Sequence, residues 1–221
     1  MIIDLIKVLI LSIVEGVTEF LPVSSTGHLI LVNQFVKLEP EGFSNAFNVI
    51  IQLGAILSVV VLYFEKLNPW TKSKIKLPRN YDDLNTRSRA YFIATHPDQK
   101  TMKLWLKVIV GVLPAMVLGL LFDDLIDAYL FNPMTVAAML FIWGLIIILV
   151  EKRNKKIKYE SLADVPYTTI LAIGFFQCLA MVPGTSRSAA TIIGAMILGL
   201  SRPAAAEFSF FLAIPTMLGA T

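Results

Sequence analysis

Three apolar runs in this chain are each long enough to cross a lipid bilayer: Phe43 to Phe64, Trp105 to Phe122 and Phe131 to Val150. Roughly 20 predominantly apolar residues reach across a hydrocarbon core ~30 Å thick, whereas a helix on the surface of a water-soluble domain keeps one polar face. The composition agrees: of 221 residues, 56% are hydrophobic and 16% charged, with a mean hydropathy of +0.72. That is too apolar for a domain facing water on all sides. The net charge of +3 is small and its basic residues sit in a few loops, so no nucleic-acid partner is expected. Cys178 is the only cysteine, which excludes an intrachain disulfide and a cysteine-based metal cluster. The first apolar stretch resembles a signal-peptide core, but Asp4 precedes Lys7 and no small-residue cleavage site follows, so we read it as retained structure.

The charges between the runs orient them. Glu65 to Lys103 holds nine Lys or Arg residues, and Lys152, Arg153, Lys155, Lys156 and Lys158 follow the third run. The short link between the second and third runs carries Asp123, Asp124 and Asp127 instead. Basic loops stay in the cytoplasm, which puts the acidic link outside.

Two further apolar stretches are interrupted. Ile2 to Leu21 ends at Pro22 and the run Val23-Ser24-Ser25-Thr26-Gly27-His28, and only about nine residues, Leu29 to Lys37, precede the next polar link. At ~1.5 Å per residue that arm covers about half of the core. Asp164 to Val182 likewise stops at Pro183-Gly184-Thr185-Ser186-Arg187-Ser188, and a short arm then runs to Leu200. Each reads as a re-entrant hairpin, the first entering from outside and the second from inside. The predicted architecture is all-α: a polytopic membrane protein with inverted-topology repeats, each containing a re-entrant helical hairpin. Residues 1–221 form a single integral membrane domain, with a first repeat over 1–150 that includes the cytoplasmic loop 65–103, and a second over 164–221. Three spans follow the first hairpin but only Glu207 to Thr221 follows the second, so the second repeat is expected to be incomplete and the chain truncated at its C-terminus.

The polar residues inside these apolar stretches carry the chemistry. Glu15 and Glu19 lie four apart, on one face of a helix made otherwise of Leu, Ile, Val and Phe. Acids at membrane depth face a cavity, a cation or a basic partner, unless they merely reach interfacial water. Two like charges at this spacing need a compensating cation, either a divalent metal held by Glu15 and Glu19 or the guanidinium of Arg187. Ser24, Ser25, Thr26 and Gly27 begin a half-helix, where free N–H groups and hydroxyls suit an anion such as phosphate, although such residues also serve as simple caps. His28 follows one turn past the cap, as a structural imidazole or as an acid and base. In the second hairpin Arg187 lies among Gly184, Ser186, Ser188 and Thr191, and its planar fork fits either phosphate or a salt bridge to Glu15 or Glu19. Gln177 matches Glu15 in its arm, but Met181 stands where the second acid would be.

The run Glu15-Gly16-Val17-Thr18-Glu19-Phe20-Leu21-Pro22-Val23-Ser24-Ser25-Thr26-Gly27-His28, with Pro183-Gly184-Thr185-Ser186-Arg187-Ser188 and Thr191, resembles the undecaprenyl-diphosphatase (bacitracin-resistance) family of bacterial membranes. Lesser similarities extend through Val49 to Gly54, Gly111 to Ala115, and Arg202 to Ala220. Only the long basic loop near Lys72 to Lys100 departs, as an expansion. The resemblance implies hydrolysis of undecaprenyl diphosphate to the monophosphate carrier lipid of cell-wall assembly, dependence on Mg²⁺ or Ca²⁺, and bacitracin resistance when abundant. It implies a site of Glu15, Glu19, Ser25, His28 and Arg187, supported by Thr26, Ser186 and Ser188. The expected partners are an isoprenyl diphosphate substrate and membrane lipids, a homodimer being compatible, in a bacterial plasma membrane with the site facing outward. Ser25 as nucleophile, with Glu19 or His28 taking its proton, stands beside direct attack by a metal-activated water. A polyprenyl-phosphate transporter is the alternative function, because carriers also place anion sites between inverted repeats. A scaffold gives no reason to bury two acids and an arginine.

Overall fold

The computed structural model describes residues 2–39, 41–75, 77–78, 81, 85–130, 132–152 and 156–220. Lys76, Arg79, Phe131, Arg153, Lys155 and Thr221, which figured in the reading of loops and spans, lie outside the described residues. The elements are α1 (Ile2–Thr18), α2 (Ser25–Asn33), α3 (Glu41–Leu62), α4 (Phe64–Leu67), α5 (Thr86–Thr95), α6 (Gln99–Leu130), α7 (Pro133–Lys152), α8 (Tyr167–Cys178), α9 (Arg187–Ile197) and α10 (Arg202–Ala220). A 3₁₀ turn, Leu179–Met181, extends α8, and one isolated bridge joins Tyr159 to Leu200. Among the described residues the fold is all-α, as the apolar runs predict.

Two helices, Gln99–Phe122 and Met134–Lys152, are long and apolar enough to cross a membrane, and only 22% and 6% of their apolar windows are buried inside the protein. Apolar side chains pointing outward along a whole helix suit lipid, whereas the core helix of a water-soluble domain turns them inward.

The boundaries differ from the sequence reading in ways with local causes. The helix α6 begins at Gln99 and runs on to Leu130, so Asp123, Asp124 and Asp127, expected in a link, lie within the helical backbone. What stops the helix is Pro133, which disfavours helical geometry in the residue before it. Asn132 then caps α7, its Oδ1 accepting from Thr135 N at 2.9 Å. The first long run breaks at Tyr63, between α3 and α4. The basic loop 65–103 contains α4, α5 and the start of α6, and packs around Tyr81, whose ring lies 6.0 Å from Lys72 Nζ and 5.6 Å from the Arg89 guanidinium. The last helix starts at Arg202 rather than Glu207, and its 19 residues extend ~28 Å.

Helical hairpins occupy both interrupted stretches. The first pairs α1 with α2 around Leu11, Leu29 and Leu38, and its open end is tied by Lys7 Nζ donating to Lys37 O at 2.7 Å. The second pairs α8 with α9, and α9 is buried from Ser188 to Ala195. It lies against Trp143 of α7 on one side, and with Ile170 and Ile173 of α8 and Phe208, Phe211 and Leu212 of α10 in the main core on the other. The helices α6 and α8 cross so closely that a Cβ on Gly174 would sit 2.4 Å from Gly111 O, an approach that small residues permit.

Candidate active site

The turns of the two hairpins meet. In the first, the helical pattern continues past α1, Glu19 N donating to Glu15 O at 2.9 Å, so that both acids share a face. Glu15 is 0% exposed and Glu19 6%. Ser25 Oγ donates to Glu19 Oε2 at 2.6 Å, and Arg187 Nη2 donates to Glu19 Oε1 at 2.8 Å. One carboxylate therefore bridges a hydroxyl of the first hairpin and a guanidinium of the second. A further tie runs between the turns, Ser188 Oγ donating to Leu21 O at 2.9 Å.

Backbone geometry explains how these side chains are presented. Ser24 has φ 64° and is the only described non-glycine residue with positive φ, a conformation costing an L-residue about 1–2 kcal/mol. Its Oγ accepts from Gly27 N at 3.3 Å and caps α2, which makes Ser25 the first helical residue and aims it back at Glu19. In the second turn the unusual conformation falls on Gly184, with φ 91°, where a Cβ would lie 2.6 Å from Val136 O. Glycine thus lets this turn rest on the backbone of α7. Ser186 is the cap of α9, accepting from Ala189 N at 3.2 Å, and Arg187 is its first residue. Because Ser188 sends its proton to Leu21 O, Ser186 is the donor in the 3.0 Å contact between their hydroxyls. Two helix N-termini, each with a positive dipole end, therefore open beside the same carboxylate.

Three groups at this centre are buried without a protein partner: both oxygens of Glu15, and Nε of Arg187. Buried polar atoms are rarely left so, and a carboxylate in that condition takes a proton or a cation. Of the other residues singled out from sequence, Gly27 is buried and Thr26 exposed. His28 is half-buried, with Nδ1 2.9 Å from Ser24 O. A carbonyl only accepts, so Nδ1 carries the hydrogen and Nε2 has the lone pair in the neutral ring. His28 is thus brought to the cap, and its described hydrogen bond is to Ser24 O rather than to Glu19. Thr191 is 0% exposed and bonds to Ser209 of α10, Oγ1 to Oγ at 2.6 Å. Sequence reasoning missed Ser209, whose carbonyl also accepts from Arg187 Nη1 at 3.1 Å. The available signal was one hydroxyl inside the run Phe208-Ser209-Phe210-Phe211. The Leu21 carbonyl gives no signal in a sequence.

Outward-facing apolar helices around a buried carboxylate, serine and arginine cluster define the class: an all-α membrane protein with an enclosed polar site between two helical hairpins. A family model described as "Bacitracin resistance protein BacA" matches residues 8–221, and the chain belongs to that family. Its curated relatives include "Undecaprenyl-diphosphatase" of Limosilactobacillus fermentum, 49% identical over 221 residues that cover 99% of this chain and 73% of the relative. "Undecaprenyl-diphosphatase 1" of Clostridioides difficile is 51% identical over 99% of this chain and 73% of its own. The Fusobacterium nucleatum "Undecaprenyl-diphosphatase" is 53% identical over 97% and 75%.

Proposed function

We propose that this chain is a phosphatase that hydrolyses undecaprenyl diphosphate to undecaprenyl phosphate and phosphate, recycling a carrier lipid for peptidoglycan synthesis. The observation that carries this reading is the contact of Ser25, Glu19 and Arg187: a hydroxyl, a proton acceptor and a phosphate-shaped cation enclosed together. The shared name of the relatives supplies the substrate.

The guanidinium of Arg187 presents a planar fork to phosphate oxygens, with Nε already lacking a protein acceptor. An incoming diphosphate competes with Glu19 for it. As Arg187 turns to phosphate and leaves Oε1, Glu19 keeps Ser25 as the donor to Oε2, the oxygen that takes the proton. Ser25 Oγ attacks the terminal phosphorus, its proton passes to Glu19, and the anhydride P–O bond breaks with its electron pair leaving on undecaprenyl phosphate. Water then attacks the phosphoserine and gives its proton to His28 Nε2, while the Ser25–phosphorus bond breaks and Glu19 returns its proton to Ser25. The helix N-termini at Ser25 and Arg187 stabilise charge on the transferring group.

Mg²⁺ or Ca²⁺ fits Glu15, whose paired oxygens have no protein donor, with Glu19 as a second hard oxygen ligand. No group of three His, Cys, Asp or Glu side chains is assembled for a metal among the described residues, so a cation held there would draw its remaining ligands from phosphate or water. When bound, such a cation offsets the negative charge of the diphosphate. The same reading takes the two hairpins as re-entrant and related by inverted repeats over 1–150 and 164–221, in a multi-pass bacterial plasma-membrane protein. Its basic loops are cytoplasmic and its site opens outward. A homodimer is compatible with it.

The test is phosphate release from undecaprenyl diphosphate by the purified protein in detergent with Mg²⁺. Ser25→Ala is expected to lower kcat by roughly 10³-fold or more, and acid quenching of the wild type is expected to trap a phosphoserine. Near-normal turnover of Ser25→Ala would remove the covalent route, and no release by the wild type would remove the phosphatase reading.

A further inference from the structure

We infer that Ser209, on α10, is a positioning residue for Arg187, acting through its hydrogen bond to Thr191; the inference rests on the phosphatase reading in that Arg187 grips the substrate phosphate.

Proton counting gives the direction of the bond. Thr191 has one hydroxyl hydrogen, and two backbone carbonyls of its own helix lie within reach, Arg187 O at 2.9 Å and Ser188 O at 3.3 Å. A Thr hydroxyl in a helix donates to just such carbonyls. With the Thr191 hydrogen given to Arg187 O, the 2.6 Å contact between Thr191 and Ser209 takes the hydrogen of Ser209. Ser209 consequently holds Arg187 at two ends. Its hydroxyl reaches the Arg187 backbone through Thr191, and its carbonyl accepts from Arg187 Nη1 at 3.1 Å.

The arrangement fixes the plane of the guanidinium. With Nη1 held by α10 and Nη2 by Glu19 Oε1 at 2.8 Å, rotation about the side chain is blocked while Nε stays without a protein acceptor. When phosphate displaces Glu19, only the Ser209 carbonyl still anchors the fork. The hydroxyl pair sets how α9 and α10 are registered at that point, and Ser209 and Thr191 are both 0% exposed, so water does not replace the bond. Phe208 and Phe211 on either side are fully buried, which leaves α10 no freedom to compensate by sliding.

The experiment uses the whole chain in detergent and compares Ser209→Ala, Thr191→Val and Thr191→Ser. Loss of the pair is expected to lower kcat roughly 10-fold with KM nearly unchanged, as a misplaced clamp does, and Thr191→Ser, which keeps the hydroxyl, is expected to retain wild-type kcat. In an Arg187→Lys background Ser209→Ala is expected to cause no further loss, since a lysine has no fork to orient. A second readout needs no turnover: the rate of phenylglyoxal labelling of Arg187, followed by mass spectrometry of its peptide, is expected to rise several-fold in Ser209→Ala and not in Thr191→Ser. Unchanged kcat and labelling in Ser209→Ala, or an equal loss in the Arg187→Lys background, would overturn the inference. A wild type that releases no phosphate while Ser209→Ala still speeds labelling would instead overturn the phosphatase reading alone.

Discussion

The two hairpins share a plan of helix, proline, small polar turn and shorter helix, yet they are built to opposite mechanical standards. In the first, α1 leaves Ile2, Ile3, Leu5, Ile6 and Leu9 exposed, and its cap residue Ser24 is held in a left-handed conformation. In the second, α9 is buried from Ser188 to Ala195, its cap residue Ser186 has an ordinary φ of −72°, and the left-handed position is given to Gly184. In the proposed mechanism the acid and the hydroxyl that exchange a proton, Glu19 and Ser25, belong to the strained, lightly packed hairpin. Arg187, which in that mechanism only holds charge, belongs to the packed one. Strain tends to collect where chemistry is done, and rigidity where a group must be presented in one orientation.

The comparison can be broken most directly at its chemical difference. Glu19→Gln is expected to lower kcat for phosphate release by roughly 10³-fold, whereas Gln177→Ala, at the buried position of the second hairpin that matches Glu15, is expected to leave it within about 10-fold, the two arms having different work. Equal losses would show that chemistry is shared between the arms.

Next in size is the response to a single methyl. At Gly184 an added Cβ meets the Val136 backbone at 2.6 Å in a left-handed conformation, and Gly184→Ala is expected to destabilise by at least ~2 kcal/mol in detergent thermal unfolding. At Gly27 the added atom would meet the Leu140 Cδ2 end at 3.3 Å and Ser24 Oγ at 3.4 Å, which a rotamer shift relieves. Gly27→Ala is expected to cost less than ~1 kcal/mol, and a reversed order would contradict the packing difference.

The smallest effect is the most discriminating. Ser24→Gly releases left-handed strain of about 1–2 kcal/mol, partly offset by the lost cap and the freer glycine backbone, and is expected to stabilise by about 0.5 kcal/mol while lowering turnover because Ser25 is less firmly aimed. Ser186→Gly, at a relaxed cap, is expected to lose a few tenths of a kcal/mol. Parallel thermal shifts and rates on the two variants test the opposite signs.

Much of this was legible in the chain. Apolar runs interrupted at Pro22 and Pro183 announce hairpins because proline and a run of hydroxyl residues cannot continue an apolar helix. Glu19 and Arg187 stand out because charges are rare among such neighbours, Ser25 because it sits in a hydroxyl run that starts a half-helix, and the structure joins the three. Other features were hidden for physical reasons. The continuation of α6 through Asp123, Asp124 and Asp127 depends on helical backbone bonds that tolerate acidic side chains, so polarity alone misplaced the boundary. Ser209 contributes a main-chain oxygen as well as a hydroxyl, and only the second is written in a residue type. Thr26, read with its neighbours as part of an anion-binding cap, is exposed where Ser25 and Gly27 are buried, because helical rotation sends successive residues to different faces.

The bond from Ser188 to the main-chain oxygen of Leu21 has a consequence for how this protein can vary. Only one of the two positions can lose the contact by substitution, since every amino acid brings the same acceptor to position 21. Two residues that touch across the junction of the hairpins would therefore leave almost no paired signature in the divergence of descendants, and inheritance would record the junction as constancy at 188 alone.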